Sequence, residues 1–384
     1  MGLRVAILSP YCWPYVRRGS ERFAQELADF LRARGHEVTL VATAPSGQHS
    51  PGRCGDRILY RQLGPRRPRY RWCPTAGNLF GFQALAALAR HRFDVVHCMT
   101  SETALAAGLP RLLRKLKVVF HIVGIPVAWY LPARSPGGLL FRLAISQSDR
   151  LVVISRCAQQ HLRCDFGHES QLLPIPVSLS PFRAVAKDPQ RPLILMAGDM
   201  DELRKGAEPL ARAFVRVRQS IPKARLVLSG HVSRQTARCI LSVAPESMRA
   251  DIEMPGVGTL EELDELYRRA SVTVLPAIWE AFGMVLLESL ARGTPVVGAD
   301  HGGIPDIIDR PGTGVLFDPV PVGQTAGNIQ GLAEAILLGL ELARRPQTCR
   351  LCREHADLFS WERLGPEYER LYLELLDRPQ EAPA

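Results

Sequence analysis

Residues 275–308 read LPAIWEAFGMVLLESLARGTPVVGADHGGIPDII, and this stretch decides the fold. It begins with an apolar run, passes through a short loop that carries Glu280, and continues into an apolar helical segment. Gly293 ends that segment before the next apolar run, TPVV. A strand, a loop, a helix closed by glycine and a second buried strand make up one unit of a parallel sheet with helical crossovers. The stretch therefore predicts the α/β class.

The same alternation extends outward in both directions. Apolar runs such as LILMAG and TGVLFDP flank the stretch in the second half, and VAILS, EVTLVAT and VVFHIV recur between helical patterns in the first half. Crossovers between parallel strands are right-handed, so this order predicts two Rossmann-like, doubly wound parallel-sheet domains with a cleft between them. The pattern also predicts a helix near Ile304–Asp309 and two long C-terminal helices.

Composition along the chain predicts where the domains begin and end. Residues 1–173 form the first predicted domain and residues 193–360 the second. Residues 174–192 hold five prolines and no sustained periodicity, which predicts a linker. Residues 361–384 predict a helix that crosses back to the first domain, followed by a polar tail.

The overall composition excludes several classes of protein. The chain has 384 residues, of which 46% are hydrophobic, and an odd number of cysteines, nine, which argues against a disulfide scaffold. Its first residues, MGLRVAILSP, predict a buried strand and no signal peptide. No uncharged apolar run approaches the ~18 residues that span a bilayer. We therefore expect a cytoplasmic protein; peripheral contact with the inner membrane face stays open.

The chain carries a net charge of +10, and one cluster of arginines lies among aromatic residues. The arginines are Arg61, Arg66, Arg67, Arg69 and Arg71, and the aromatic residues are Tyr70, Trp72, Phe80 and Phe82. Such a patch suits an anionic lipid, a phosphorylated acceptor or a nucleic acid, whereas a solvated loop is an equally good interpretation.

Candidate binding residues should follow the strands, because ligands of open parallel sheets bind at the carboxyl ends of the strands. In the first half, Gly19 and Ser20 open a helix whose amides could face an anion, although an ordinary helix cap would look the same. His121 ends the strand VVFHIV, and His97 ends the strand before it. A lone histidine of this kind is more often structural than functional.

The second half offers two cations and two carboxylates at strand ends. Arg204 and Lys205 follow the strand LILMAG and could clamp a diphosphate, although a solvated charge run is equally possible. Glu288 lies inside an apolar helix, where it must accept hydrogen bonds, and a ribose diol could donate two. Glu280 could hold sugar hydroxyls while helix amides face a phosphate; local capping or ion pairing by these carboxylates is the alternative.

With these residues in place, the sequence resembles the retaining glycosyltransferases of family four, the group 1 glycosyltransferases, which have the GT-B architecture. The most specific match is a Glu-x7-Glu pattern, here Glu280 and Glu288, followed by GGIPDII. Weaker matches extend over nearly the whole chain: the Gly19 loop with RGHEV at 34–38, DVVH ending at His97, the strand ending at His121, SDRLVVIS at 148–155, RKG at 204–206, and the segments IEMPGV and ELYRRASVTVLP.

The resemblance implies a role for each candidate residue. It implies that Glu288 binds the donor ribose, and that Glu280 and the amides of Phe282 and Gly283 hold the donor sugar. Lys205 and Arg204 would grip the diphosphate, and Gly256 and Val257 would flank the base. Gly19 would approach the phosphate or sugar, and His121 would touch the transferred sugar. Glu280, His121 and Lys205 would be the catalytic residues.

The activity implied is transfer of a hexose-type sugar from a nucleoside diphosphate sugar to a hydroxyl of a glycan or lipid-linked acceptor. The family reaction retains the anomeric configuration by a front-face mechanism. The resemblance implies no metal, no other cofactor and no nucleic-acid partner, and it leaves contact of the arginine cluster with an anionic membrane open. Asp199 and Asp201 offer too few oxygen ligands for a divalent ion.

One residue departs from the family pattern. Asp199 stands where relatives commonly have arginine, so Arg204 would have to substitute or the phosphate grip would be weaker. A catalytically weak, donor-binding subunit is therefore an alternative. An NAD-dependent oxidoreductase is a less favoured one, because no Gly-x-Gly-x-x-Gly follows the strands. Cys349, Cys352 and His355 lack the further ligand pair of a zinc site.

Overall fold

A computed structural model of the chain describes residues 2–44, 52–54, 56–61, 74–179, 185, 187–319 and 328–377. The chain divides into two compact units. The first unit contains Met1–Pro176 and Leu364–Ala384, and the second contains Val177–Arg363.

The first unit is a parallel sheet with helical crossovers. Its strands are β1 (Arg4–Leu8), β2 (Glu37–Ala44), β3 (Gly52–Cys54), β4 (Arg57–Arg61), β5 (Val95–Cys98), β6 (Lys117–Ile122), β7 (Arg150–Val153) and β8 (Gln171–Leu172). Its helices are α1 (Gly19–Ala33), α2 (Pro74–Arg90), α3 (Ser101–Leu113), α4 (Pro136–Ser146) and α5 (Arg156–Phe166). The sheet order is β3-β4-β2-β1-β5-β6-β7-β8, and β3 pairs with β4 in antiparallel fashion.

The second unit repeats this architecture. Its strands are β9 (Leu193–Ala197), β10 (Arg225–Ser229), β11 (Ile252–Gly256), β12 (Val272–Leu275), β13 (Val296–Ala299) and β14 (Gly314–Phe317). Its helices are α6 (Ala207–Ser220), α7 (Arg234–Ser242), α8 (Glu246–Arg249), α9 (Leu260–Arg269), α10 (Met284–Ala291), α11 (Ile329–Arg344) and α12 (Thr348–Asp357). The parallel sheet has the order β11-β10-β9-β12-β13-β14.

Both sheets are covered by helices on both faces, which explains the unbroken apolar runs of the central strands. Every residue of β9 and of β12 is buried. The predicted α/β class and the two doubly wound parallel-sheet domains are confirmed. The cleft between them stays a prediction.

The last helix, α13 (Trp361–Leu375), belongs to the first unit from Leu364 onward. Tyr368 Oη donates to the carbonyl oxygens of Leu173 and Pro174 at 3.2 and 3.1 Å. Glu369 pairs with Arg34 and His36, at 3.0 and 2.8 Å. These contacts fix α13 on the first unit.

Two local predictions were wrong. Instead of a helix over Ile304–Asp309, a 3-10 turn spans Ile304–Asp306. In such a turn residues i and i+3 lie on one side, and Ile304 and Ile307 are both fully buried. Instead of two C-terminal helices, the chain forms α11, α12 and α13, because Pro346 separates α11 from α12.

Candidate functional site

The candidate site lies at the carboxyl ends of the strands of the second unit. β9 is in the middle of the sheet, with β10 and β11 on one side and β12, β13 and β14 on the other. From β9 the chain adds β10 and β11 in one direction and then returns to add β12, β13 and β14 in the other, so the strand order reverses next to β9. In doubly wound sheets, this reversal opens a crevice where ligands bind.

Glu280, in the loop after β12, holds two cations from the loop after β9. Its Oε2 accepts from Lys205 Nζ and, at 3.2 Å, from Arg204 Nη1. Arg204 also pairs with Glu202 at 2.7 Å. We call Glu202, Arg204, Lys205 and Glu280 the Glu280 cluster. The structure thus brings together predicted site residues that are 75 positions apart in sequence.

The Glu280 carboxylate is charged at neutral pH. Burial acts to raise its pKa, but the charges of Lys205 and Arg204 outweigh burial and lower the pKa below its usual value. The Glu280 side chain is 14% exposed and that of Lys205 17%, so the pair is shielded from solvent without being closed off. A ligand at this edge of the sheet would meet cations that are already held in place.

A glycine turn after β13 supports the Glu280 loop. The Gly303 amide donates to the Glu280 carbonyl at 2.8 Å. Gly302 has a φ of +65°, and a Cβ added to it would lie 2.3 Å from the same carbonyl oxygen. Only glycine therefore permits this close approach.

His301 is a candidate site residue that the sequence reasoning missed. The Trp279 amide donates to His301 Nδ1 at 3.0 Å, so the remaining ring hydrogen is on Nε2. Trp279 itself has a φ of +54°, an uncommon conformation for a large side chain. The glycines of GGIPDII were recognised as a motif, but the neighbouring histidine carried no signal of its own.

The helix α10 presents its amino terminus to the same edge. Gly283 is its N-cap, in the left-handed conformation with a φ of +102°. The ring of Phe282 is buried in the core. That the amides of these two residues contact a ligand stays a prediction.

Glu288 lies further along α10 and is 8% exposed. Its Oε2 accepts from Tyr267 Oη at 2.8 Å. The prediction that this buried carboxylate must accept hydrogen bonds is confirmed, and one donor comes from the protein itself. Tyr267 was not foreseen, because on the amphipathic helix α9 it looks like an ordinary core residue.

Three glycines line the strand ends beside β9. Gly198 follows β9, Gly230 follows β10 and Gly256 ends β11, with φ values of +141°, +136° and +83°. A Cβ on Gly230 would lie 1.8 Å from the Gly198 carbonyl oxygen. Val257, next to this glycine row, is exposed. The row leaves a floor of backbone without side chains, on which a planar base could lie.

Asp199, Asp201 and His231 form a small group after β9 and β10. Their ligand atoms all lie within 4.8 Å of one another. Asp199 Oδ1 accepts from the Asp201 amide at 3.0 Å, and Asp201 Oδ1 accepts from the Ser233 amide at 2.9 Å. These backbone bonds already occupy one oxygen of each carboxylate, and a divalent ion needs about six oxygen ligands.

The first unit holds the remaining predicted residues. Gly19 begins α1, and Glu21 in the first turn is buried and paired with Arg18 at 2.6 Å. His121 and His97 are fully buried at the ends of β6 and β5, with 3.1 Å between His121 Nδ1 and His97 Nε2.

The histidine pair is uncharged at neutral pH. Burial lowers the pKa of His97 to about 3. Burial and the neighbouring His97 lower the pKa of His121 well below its usual value. Tyr372 of α13 bonds His97 Nδ1 at 2.8 Å. Among the described residues, nothing accepts from or donates to His121 Nε2.

The sequence singled out two further features, an arginine cluster and a pair of cysteines with a histidine. Most of the cluster Arg61–Arg71 lies outside the described residues. Cys352 is buried with its thiol 3.8 Å from the Thr313 carbonyl oxygen, and His355 Nε2 bonds the Ile307 carbonyl oxygen at 2.8 Å. Cys352 and His355 therefore serve the packing of α12.

Comparison with known proteins agrees with this geometry. Residues 17–180 match the family model described as Glycosyltransferase Family 4, and residues 181–346 match Glycosyl transferases group 1. A D-inositol 3-phosphate glycosyltransferase from a Mycobacterium species, strain KMS, is 26% identical over 93% of this chain and 87% of its own.

Solved structures show the same fold. Sucrose-phosphate synthase from Thermosynechococcus elongatus superposes with a TM-score of 0.81 at 22% identity, covering 98% of this chain and 99% of that one. Anabaena HepE, solved in complex with UDP and glucose, superposes with a TM-score of 0.68 at 13% identity, covering 97% and 99%.

Fold and site together define a GT-B enzyme, a hexosyltransferase that takes its sugar from a nucleotide sugar. The chain belongs to the group 1 glycosyltransferases. The family prediction is thereby confirmed, and the alternative of an NAD-dependent oxidoreductase falls away. In the part of the chain that the structure describes, no helix is both long and apolar enough to cross a membrane.

Proposed function

We propose that this enzyme transfers a hexose from a nucleoside diphosphate sugar to a hydroxyl of a glycan or lipid-linked acceptor, with retention and without a metal ion. The observation that carries the proposal is the Glu280 cluster, in which Arg204 and Lys205 are held at the sheet edge beside the amino terminus of α10. Two cations and helix amides are what a departing diphosphate requires.

The donor would extend along this edge. The base would lie on the glycine row beside Gly256 and Val257, and the ribose would bond the Glu288 carboxylate. The diphosphate would meet Lys205 and Arg204, and the sugar would bond Glu280 and the amides of Phe282 and Gly283. The support is spatial: all of these groups except Glu288 closely follow the carboxyl ends of strands of one sheet, and Glu288 lies in the helix that begins there.

The proposed chemistry is a front-face displacement. The bond between the anomeric carbon and the phosphate oxygen breaks, and the acceptor oxygen bonds that carbon on the same face. The acceptor proton passes to the departing phosphate oxygen. Lys205 and Arg204 stabilise the charge that grows on the phosphate, an interaction stronger in the transition state than in the ground state.

The first unit would supply Gly19 and His121. The buried Nε2 of His121 has no partner among the described residues, and a sugar hydroxyl would satisfy it. Being neutral, His121 would act as a hydrogen-bonding group without adding charge. Contact with the sugar requires that the ring, now fully buried, become accessible.

Among glycan and lipid-linked acceptors, we favour one that is lipid-linked or carries negative charge. In its support, α3 and α4 expose large apolar side chains: Leu109, Leu112, Leu113, Leu139 and Leu143. These suit a surface that lies against a membrane. The Mycobacterium relative is named for a phosphate-bearing acceptor, D-inositol 3-phosphate. We propose a cytoplasmic enzyme that touches the inner membrane face, where the arginines at 61–71 could add charge attraction.

The experiment needs no acceptor, since such enzymes can transfer sugar slowly to water. The full chain is incubated with UDP-glucose, GDP-mannose or ADP-glucose in EDTA, and released sugar is followed by proton NMR. We expect one donor to release its sugar, at first with the same anomeric configuration as in the donor. The Lys205→Ala variant should release this sugar much more slowly. Release of the opposite anomer would contradict retention, and turnover that requires added Mg²⁺ would contradict metal independence.

A weak, donor-binding subunit remains the second candidate because Asp199 bonds the protein's own backbone where relatives have a cation. This second hypothesis predicts that the chain binds a nucleotide but releases sugar from no donor. The NMR experiment together with nucleotide titration separates the two candidates, because a subunit of this kind would leave all three donors intact while still binding one nucleotide.

A further inference from the structure

A cavity of about 580 Å³ opens at the opposite edge of the sheet in the second unit. Pro192, Ser271 and Pro295 line it, and each immediately precedes a strand: β9, β12 and β13. These strands are neighbours in the sheet. The cavity therefore lies at the amino ends of the same strands whose carboxyl ends carry the Glu280 cluster.

The two sites are separated by the length of the strands. Strands of four or five residues span roughly 13–17 Å at about 3.3 Å per residue. A molecule bound in the cavity would therefore not touch the Glu280 cluster. We call this cavity the basic pocket.

The basic pocket is lined by cations. These are Lys187, Arg268, Arg292, Arg344 and Arg345. Asp264 neutralises part of this charge, since it pairs with both Arg268 and Arg292 at 2.6 Å. No acidic residue is among the lining residues, so a positive surplus faces the cavity.

Lys187 is the most informative of these cations. Its Nζ donates to Thr294 Oγ1 at 2.6 Å, and among the described residues no carboxylate pairs with it. Burial lowers the pKa of Lys187 to about 8. A half-buried ammonium without an anionic partner is costly, and a bound anion would relieve that cost.

A second, independent observation points to a ligand. Thr348, the first residue of α12, lines the pocket and is only 2% exposed. Its Oγ1 is buried and has no hydrogen-bond partner in the described part of the chain. Buried hydroxyls are almost always bonded, so an unbonded one beside a cationic cavity indicates a missing acceptor, although the atoms that now cover Oγ1 must move before a bound phosphate can reach it.

We propose that the basic pocket binds a small phosphorylated metabolite, with its phosphate held by Lys187, Arg345 and the Thr348 hydroxyl. Phosphate accepts several hydrogen bonds, and basic side chains bind it strongly. Ligand pockets are typically about 300–1,000 Å³, so the cavity has room for a molecule of the size of a sugar phosphate. This site is additional to the donor site.

Calorimetry on the full chain tests the proposal. The probes are inorganic phosphate, glucose 6-phosphate and uncharged glucose, each titrated first without nucleotide and then with a saturating concentration of whichever of UDP, GDP and ADP the chain binds, so that the donor site is filled. We expect glucose 6-phosphate and phosphate to bind and glucose not to bind. Lys187→Met, which keeps the volume of the side chain, and Arg345→Gln, which changes an exposed residue, should each weaken binding about tenfold or more.

Arg350→Gln is the matched control, because it removes one charge from an exposed position of α12 outside the pocket. It should bind both probes like the wild type. Wild-type affinity in both Lys187→Met and Arg345→Gln would overturn the proposal, as would phosphate binding that is seen without nucleotide and is lost when the nucleotide saturates the donor site. Absence of heat with both phosphate probes up to about 10 mM, where even weak sites of about 1 mM fill, would also overturn it.

Discussion

At the scale of single residues, Glu280 is the centre of the site, because its carboxylate is charged and holds Lys205 and Arg204. The sequence predicted all three, since each follows a strand end. It could not predict that they meet, because Lys205 and Glu280 are 75 positions apart and pair only through the neighbouring strands β9 and β12.

Replacing Glu280 by glutamine should lower kcat/KM by about a hundredfold or more, since it releases both cations and removes a charged contact to the sugar. Nucleotide affinity should change by less than about threefold, because a glutamine side chain at position 280 leaves Glu288 and the glycine row intact. Steady-state kinetics and nucleotide titration measure the two effects. Unchanged kcat/KM would contradict the role given to Glu280.

Tyr267→Phe tests the support of Glu288. Loss of the phenol leaves a buried carboxylate oxygen without its donor, so we expect a loss of about 1–3 kcal/mol in the free energy of unfolding. Urea unfolding of the variant measures it. Tyr130→Phe, at an exposed position, is the control and should match the wild type, whereas equal stability of all three proteins would refute the assignment.

At the scale of elements, the loops after β12 and β13 form one supported unit through Gly302 and Gly303. The sequence revealed the strands and helices, because their apolar periodicity is strong. It gave the wrong structure for Ile304–Asp306, since a short segment with buried i and i+3 positions has no helical signature of its own. The basic pocket was also invisible, because its residues come from separate segments.

Gly302→Ala should disturb the Glu280 loop without touching any proposed ligand. The added Cβ would lie 2.3 Å from the Glu280 carbonyl oxygen at a φ of +65°. We expect a stability loss of about 1–3 kcal/mol and a fall in kcat. Thermal unfolding and kinetics report these. Gly124→Ala, where a Cβ meets nothing within 4 Å, should change neither; an unaffected Gly302→Ala would contradict the described packing.

The histidine pair at the ends of β5 and β6 should make the first unit sensitive to acid. Unfolded His97 takes up a proton near its usual pKa of 6.5, whereas folded His97 does so only near 3. Its stabilising contribution is therefore complete above pH 6.5 and falls as pH drops toward 3, by up to about 1.4 kcal/mol per pH unit.

Urea midpoints measured from pH 7 to pH 4 should fall less steeply in His97→Gln than in the wild type. Glutamine keeps a hydrogen-bonding group for Tyr372 but does not titrate. Parallel pH profiles for the two proteins would contradict this account, because they would mean that His97 takes up its proton equally in the folded and the unfolded chain.

At the scale of the whole molecule, two doubly wound sheets and the match to the family over residues 17–346 define a GT-B glycosyltransferase. The fold and the family of the whole chain were the features most predictable from sequence. Buried parallel strands appear in the sequence as continuous apolar runs, and the Glu-x7-Glu pattern is specific. The identities of the donor base, of the acceptor and of a ligand in the basic pocket depend on a few side chains, and only the folded chain defines where these side chains lie.

The most direct test of the donor site is calorimetric titration of the full chain with UDP, GDP and ADP in EDTA, repeated on Glu288→Ala. We predict that one nucleotide binds without metal and that the variant binds it at least about tenfold more weakly, because the ribose loses a charged acceptor. Equal affinity of the variant, or no binding of any nucleotide to the wild type, would contradict the placement of the donor at this edge of the sheet.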